Sequence, residues 1–581
     1  MAEVTRAATR PDLMQALGPR SLSLGAAAPL ARDRGLLRGL HLGAIEATAV
    51  LSLAALTIAT RLAIRTEYLF NWDAVQFALG VQRFDIVAHR PHPPGYLGYI
   101  LLGRALTGVS GGGAETGLVL LSALAESVAV VLAYSAARRL WGRFAGWAAA
   151  ILLFTSPLFW FYGGTALSYA LEPALSFAVL WTAYRACRGD GRALILGTVV
   201  AGLAGAIRPT DEAFLALPLA WAAWRTWHSG GRRPVVGAVA VLAATSFAWL
   251  VPLMVMSGGP ARYLLASGEL SARASDTSAV WKTGLYGLQL NGGAVLAGLA
   301  LAIGLFAPLG LTYVLVRRLP GVARQLDHLT GLDRDYTVVT VALLVPTLVV
   351  YVLVHIGQLG YILLLLPALL LPAGVVLDGL ARATFSAARA RQARVTLLAT
   401  CALANVATFA LPQDGLHDQL LQHDAYVRAV VATVRAYDPA TTVLLTSAEA
   451  NGSYRLAQFY LPGYPVIAVG RDRHQHAGEI FSTAGGAPEY DLARFDRAGH
   501  FSLPVTTRTV VVLDRDAAAL VGDRGLLSPL LFGDQWRAWT TGLSGAASPA
   551  TFGDRVYISA ADCPCRGAGR SAPAPVPNQP L

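Results

Sequence analysis

Charge is what this 581-residue chain most lacks: 14% of it is Asp, Glu, Lys or Arg, against roughly 25% in soluble globular proteins. The shortage is confined to residues before about 411, and charges are frequent after that, which excludes an ordinary soluble domain over most of the length. Cysteine is scarce too. Cys187, Cys401, Cys563 and Cys565 give no zinc-type ligand set, and Cys563 and Cys565, one residue apart, would make a strained disulfide. A glycine-rich nucleotide fingerprint in its strand-turn-helix context is missing as well. The net charge of +11 is mostly arginine, which would suit a nucleic-acid partner. These arginines instead fall in short loops between apolar runs, where they set membrane topology, so no nucleic-acid partner is expected.

What is present is a series of apolar runs of roughly 15 to 25 residues, the mark of transmembrane helices. About eleven spans are expected, over 41–64, 115–137, 144–162, 165–185, 193–207, 213–228, 235–257, 293–316, 337–355, 360–380 and 395–411. The fold class is therefore mainly α, a polytopic transmembrane bundle at 41–411 with an α/β domain behind it. Residues 1–40 read as a disordered cytoplasmic leader, with Arg32, Arg34 and Arg38 holding the N-terminus inside. The apolar run 96–108 is short and is not counted as a span. Counting it would invert every later loop and put the arginines outside. Two outer loops follow from this count, 65–114 and 258–291. The α/β domain, 412–562, lies outside as well: 419–437 has amphipathic-helix spacing, Thr442–Thr446, Val466–Val469 and Thr509–Leu513 read as strands, and Ser453–Tyr460 reads as a helix. The tail, 563–581, is rich in Pro, Ala and Gly and reads as disordered. A multi-pass protein of the plasma (inner) membrane is expected.

Ionisable groups near lipid are costly, so their positions carry information. The outer ends hold Asp73, Asp85, His89, Arg90, His92, Glu172, Arg208, Arg262, Arg273, Lys282, His355 and Gln358, whereas the inner ends hold little but arginine. Asn71 can cap a short helix starting at Trp72. Asp73, in its first turn, either complements the helix dipole or acts as a general base with a pKa raised by a half-dry setting. Pro93 and Pro94 stiffen the chain around His89 and His92, either to close a loop or to present His92 to a phosphate or an acceptor. With Asp73 or Asp85 the histidine pair could hold a divalent cation, although the spacing specifies no metal site. Arg208, just before Pro209, is either an interface anchor or a phosphate fork, with Arg262, Arg273 and Lys282 as further phosphate candidates. His89, Arg90, Glu172, His355 and Gln358 would line the cleft.

Asp73 on a short helix after the first span, followed by His92-Pro93-Pro94-Gly95-Tyr96 and an apolar helix, resembles the GT-C superfamily of integral membrane glycosyltransferases. The likeness is strongest to protein O-mannosyltransferase-like and aminoarabinose-transferase-like enzymes. Leu97 stands where a second proline is usual, and Ala74 follows Asp73 where many members carry a second acid, so a partner carboxylate would come from elsewhere, with Asp85 a candidate. Ala206-Ile207-Arg208-Pro209 is similar to an Arg-Pro segment of the superfamily, and the stretch from His355 through Gln358 and Tyr361 to Pro367 to its late loop and helix. The resemblance covers residues 40–411. It implies a GT-C-like bundle, a lipid-linked sugar donor on polyprenyl phosphate held in the membrane lipids, and a glycan, lipid or protein acceptor. It also implies Asp73 as general base, inverting displacement, no nucleotide cofactor, and Arg208 or the 258–291 cations on the leaving phosphate. The competing classes are a secondary transporter or lipid flippase, and a non-catalytic membrane assembly protein.

Overall fold

The structure is a computed structural model that describes residues 43–318, 334–411, 415–447, 451–470, 492–494, 509–513, 528–532 and 536–542. The expected leader and tail, with Cys563 and Cys565, lie outside the described residues. Among the described residues, Cys187 and Cys401 form no disulfide. The chain divides into two units, Met1–Thr48 and Ala49–Leu581. Of the first, only the opening residues of the first helix are described.

The helices run α1 (Ala44–Ala63), α2 (Trp72–Gln82), α3 (Leu97–Ser110), α4 (Ala114–Trp141), α5 (Arg143–Thr155), α6 (Pro157–Gly163), α7 (Glu172–Cys187), α8 (Gly191–Ile207), α9 (Pro209–His228), α10 (Arg232–Met256), α11 (Pro260–Ser278), α12 (Val280–Thr283), α13 (Leu285–Ile303) and α14 (Phe306–Arg317). After them come α15 (Arg334–Leu353), α16 (Leu366–Leu370), α17 (Ala373–Thr384) and α18 (Ala387–Ala410). Seven described helices are long and apolar enough to cross a membrane, or eight with the α5–α6 pair, which bends by 61°. That is fewer than the eleven expected, for identifiable reasons. The 165–185 run opens with a 3-10 turn at Ser168–Leu171 and leaves α7 only 16 residues. Helix α8 has 17 residues, and α9 carries Asp211, Glu212 and Arg225. The 293–316 run breaks at Gly304, between α13 and α14. The 96–108 run is α3, 14 residues, or about 21 Å, too short to cross the bilayer upright.

The second expected loop, 258–291, is instead helical: α11, α12 and the start of α13 fill it. Pro260 stands in its first turn, where a missing N–H costs nothing. Reading its charges as loop signal missed an amphipathic helix, whose Tyr263 and Ala266 are buried while Leu264 and Leu265 are exposed. Along α10, Val236, Val239, Phe247, Val251 and Val255 are exposed. Such an apolar face is stable against lipid, and the helix satisfies its own backbone.

Helix α2 is short and defined at both ends. The Asn71 side chain accepts from the Asp73 N–H at 2.8 Å. At the other end Arg104 of α3 donates to the Gly80 and Val81 carbonyls at 2.9 and 2.8 Å, which would otherwise lack partners. The chain then doubles back through a bridge between Asp85 and Arg90 and enters α3 through Gly95, at φ 110, where a Cβ would lie 2.5 Å from Leu253.

Beyond α18, α19 (Leu416–Val434) and α20 (Asn451–Tyr460) pack with a six-stranded sheet. Its strands are β1 (Thr442–Ser447), β2 (Val466–Gly470), β3 (Leu492–Arg494), β4 (Thr509–Val512), β5 (Ser528–Phe532) and β6 (Trp536–Gly542), in the order β3-β2-β1-β4-β6-β5. The β3-β2-β1-β4 part is parallel and β6 and β5 are antiparallel. Val427, Val431, Leu444, Tyr454, Ala468 and Val511 form its core, with Tyr68 and Ala88 of the 65–114 segment packed against it.

Candidate active site

Residues drawn from four separate stretches converge beside the N-terminus of α2. Asp73 is buried, 7% exposed. Its Oδ2 accepts from Gln358 Nε2 at 2.7 Å. Its Oδ1 has no hydrogen-bond partner and lies 3.5 Å from His92 Nδ1. That separation fits an ion pair but not an aligned hydrogen bond. Burial pushes the Asp73 carboxyl up to about 7, partly offset by the Arg208 charge.

His92 sits in an aromatic setting, its ring 5.5 Å from Trp72 and Phe77 and 4.8 Å from Tyr96. Its Nε2 shares a hydrogen bond with the Tyr96 hydroxyl at 3.1 Å. Burial, then Arg208 and Arg455, lower it to about 3, so it is a neutral imidazole at physiological pH and no counter-ion for Asp73.

Arg208, between α8 and α9, is buried and so does not snorkel. Its Nη1 donates to Glu172 Oε1 at 2.7 Å, and its guanidinium lies 3.8 Å from the Tyr361 ring centre and 4.6 Å from that of Tyr169. One side of the fork is therefore committed to Glu172 and its faces to two tyrosines. Tyr162 fixes the late loop, its hydroxyl accepting from the Gly360 N–H at 2.8 Å. His355 is half-buried, Nδ1 to Ser278 Oγ 2.7 Å, its ring 6.3 Å from that of Tyr361.

The other sequence candidates lie differently. The Asp85 carboxylate accepts from the Val87 and Ala88 N–H groups at 3.2 Å each, capping its own turn, and no hydrogen bond or ion pair among the described residues joins it to Asp73. His89 is buried with φ 53; burial, then Arg455, His92 and Arg273, hold its pKa well below the usual value. Arg90 forms the backbone bridge to Asp85. Arg273 is half-buried and acts electrostatically on His89. Arg262 and Lys282 are exposed, and Lys282 pairs with Asp276. Among the described residues no three His, Cys, Asp or Glu are placed to hold a metal ion.

Sequence reasoning named Tyr96 only within the His92–Tyr96 motif and missed Tyr162 and Tyr169 as site residues, whose signal was aromatic residues at breaks in apolar runs. It also missed four residues of the α/β domain that reach the same segment: His423, Asp424, Arg455 and Tyr460.

The Asp73 carboxylate is thus buried, with one oxygen lacking a hydrogen-bond partner, close to the aromatic rings around His92. Residues 91–253, which include His92, Glu172 and Arg208 but begin after Asp73, match the family model of dolichyl-phosphate-mannose-protein mannosyltransferases. With the fold, this supports an integral membrane glycosyltransferase of the GT-C superfamily. Among solved structures, the chain is similar to ArnT from Cupriavidus metallidurans bound to undecaprenyl phosphate. The TM-score is 0.55 at 15% identity, over 86% of this chain and 98% of that one. The apo form of the same protein gives a TM-score of 0.54 at 14% identity, over 85% and 97%. AglB from Archaeoglobus fulgidus in complex with an inhibitory peptide and a dolichol-phosphate is a more distant likeness, TM-score 0.45 at 12% identity, over 81% and 70%. No curated protein matches the chain in sequence.

Proposed function

We propose that the chain transfers a sugar from a polyprenyl-phosphate donor to an acceptor hydroxyl on the extracytoplasmic side of the plasma (inner) membrane, with Asp73 as general base. The observation that carries this is the state of the Asp73 carboxyl: Gln358 fixes one oxygen while the other is buried and unpartnered. The acceptor O–H gives its proton to that oxygen. Its oxygen bonds to the anomeric carbon, and the bond from that carbon to the phosphate oxygen breaks, releasing polyprenyl phosphate as an anion. A carboxyl titrating near neutrality suits proton transfer at physiological pH. Arg208, held between Tyr169 and Tyr361, lends positive potential beside the reacting groups, damped by Glu172. The donor class is supported by the match to mannosyltransferases that use a dolichyl-phosphate sugar and by the shared fold with an undecaprenyl-phosphate-bound protein. The acceptor is a glycan, lipid or protein; the α/β domain and the site share the outer face, with the N-terminus in the cytoplasm.

The test uses membranes containing the full chain and undecaprenyl phosphate carrying a radiolabelled hexose or pentose. Transfer of label by the native protein and its loss in Asp73→Asn are expected. Undiminished transfer by Asp73→Asn would overturn the assignment.

A further inference from the structure

Helix α2 carries Asp73, yet the chain on both sides of it is held by the α/β domain. Upstream, both oxygens of Asp424 are occupied by consecutive backbone N–H groups, Glu67 at 2.7 Å and Tyr68 at 3.0 Å. The next N–H, of Leu69, donates to the Tyr460 hydroxyl at 2.8 Å, and His423 Nε2 lies 3.0 Å from the Leu69 carbonyl. The Tyr68 ring meets Tyr460 edge-on at 5.1 Å, and Phe70 meets His423 at 5.0 Å. Downstream, Arg455, fully buried, donates from Nη2 to the Ala88 carbonyl at 2.9 Å, one residue before His89. These backbone groups belong to irregular chain, which has no ladder of its own to satisfy them. Charged partners make such bonds roughly twice as strong as neutral ones. The Arg428–Glu67 pair is exposed and adds little.

We infer that the α/β domain is a positioning part of the reaction centre: Asp424, Tyr460 and Arg455 hold the chain on both flanks of α2 and so set where the Asp73 carboxyl stands. This rests on the reading of Asp73 as the base and adds a task for the domain. Asp424 and Tyr460 touch no reacting atom. They act through the backbone of 67–69, and a displacement of about 1 Å at a base can lower turnover about a hundredfold.

The experiment compares the full chain with Asp424→Asn and with Tyr460→Phe, which removes one hydroxyl and keeps the ring against Tyr68. Hydrogen exchange is followed across 67–92, and label transfer from the same undecaprenyl-phosphate sugar is followed across pH. Faster exchange in 67–72 is expected, with α4 and α8 unchanged. Transfer kcat should fall about tenfold or more with the donor KM unchanged. The acid limb of kcat/KM should move below its native position as water reaches Asp73. A variant that merely folds less well would lose amplitude and leave the limb in place. Should Asp424→Asn prove too unstable to purify, Tyr460→Phe carries the same expectations at smaller size. Native exchange and an unmoved limb in the folded variants would sink the inference even if Asp73→Asn is inactive; an active Asp73→Asn would sink the assignment of the base instead.

Discussion

At the scale of single residues, the site places a carboxyl where it is poorly stable as an anion. Burial raises Asp73 to about 7, against about 3.9 for an unfolded Asp. The folded protein therefore binds more protons than the unfolded chain between those values. The stability this group contributes is fully present below about 4 and is lost as pH rises through about 7. Removing the charge should help folding at neutral pH while removing the base. Asp73→Asn is expected to melt no lower than the native protein at pH 7.5 while losing transfer by about a hundredfold or more. A lower melting temperature in detergent would show that the anion is stabilised after all. The same titration predicts a rise of kcat/KM through pH of about 7, since this quantity reports the free protein; His92, held near 3, contributes no limb there. Gln358→Leu should free Asp73 Oδ2 and lower kcat about tenfold without changing the amount of inserted protein, read by transfer assays normalised to protein.

At the scale of elements, one close packing borders the site and a second lies deeper in the bundle, and each has its own expectation. A Cβ on Gly80 of α2 would lie 2.8 Å from Pro91 Cδ and 2.9 Å from Pro91 N. Backbone cannot swing aside as a long side chain can, so Gly80→Ala must displace Pro91 and disturb its neighbour His92, which stands beside Asp73. A tenfold or larger fall in transfer is expected, with normal insertion into membranes. Deeper in the bundle, Arg61 of α1 donates from Nε to Glu126 of α4 at 2.7 Å, both fully buried, and from Nη2 to the Phe154 carbonyl at 2.8 Å. Breaking one partner of such a pair costs about 3–5 kcal/mol, whereas replacing both with apolar groups can be neutral. Arg61→Met alone should lower the melting temperature sharply, and Arg61→Met with Glu126→Leu should recover most of it; equal melting of the single and double variants would remove the pair from the account. Sequence reading located α2, α4 and α10 because each pairs a long or well-capped pattern with charged ends. It misread 258–291, where Arg262, Glu269, Arg273 and Asp276 on one helix look like loop polarity unless the apolar Tyr263 and Ala266 are seen to share a buried side. It also ran 293–316 together, because Gly304 breaks the helix without interrupting its apolar composition.

At the scale of the whole molecule, the site is a meeting of chain breaks. Asp73, His92, Arg208, Gln358 and Tyr361 were legible because each stands where an apolar run stops, and in lipid a polar side chain is tolerated chiefly at such ends or inside a bundle. What could not be read was the pairing of residues more than 350 positions apart, such as Asp424 with Glu67. Helix α19 shows an amphipathic pattern, but the pattern gives no sign of what its polar residues face. That pairing fixes sidedness: a segment whose backbone is bonded to the α/β domain cannot lie across the bilayer from it. The arginine-bearing ends gather elsewhere, where Arg225 of α9 pairs with Asp335 of α15 at 3.0 Å and Trp141 of α4 meets Tyr336 at 5.0 Å. Positive loops favour the cytoplasm. A membrane-impermeant thiol reagent should therefore label single cysteines placed at exposed Leu421 of α19 and at exposed Lys282 from outside intact cells, in a chain whose own Cys187, Cys401, Cys563 and Cys565 are replaced by alanine. Cysteines at exposed Arg188 and Arg232 should react only after the membrane is opened. Labelling of positions 188 and 421 from the same side of sealed cells would contradict this topology.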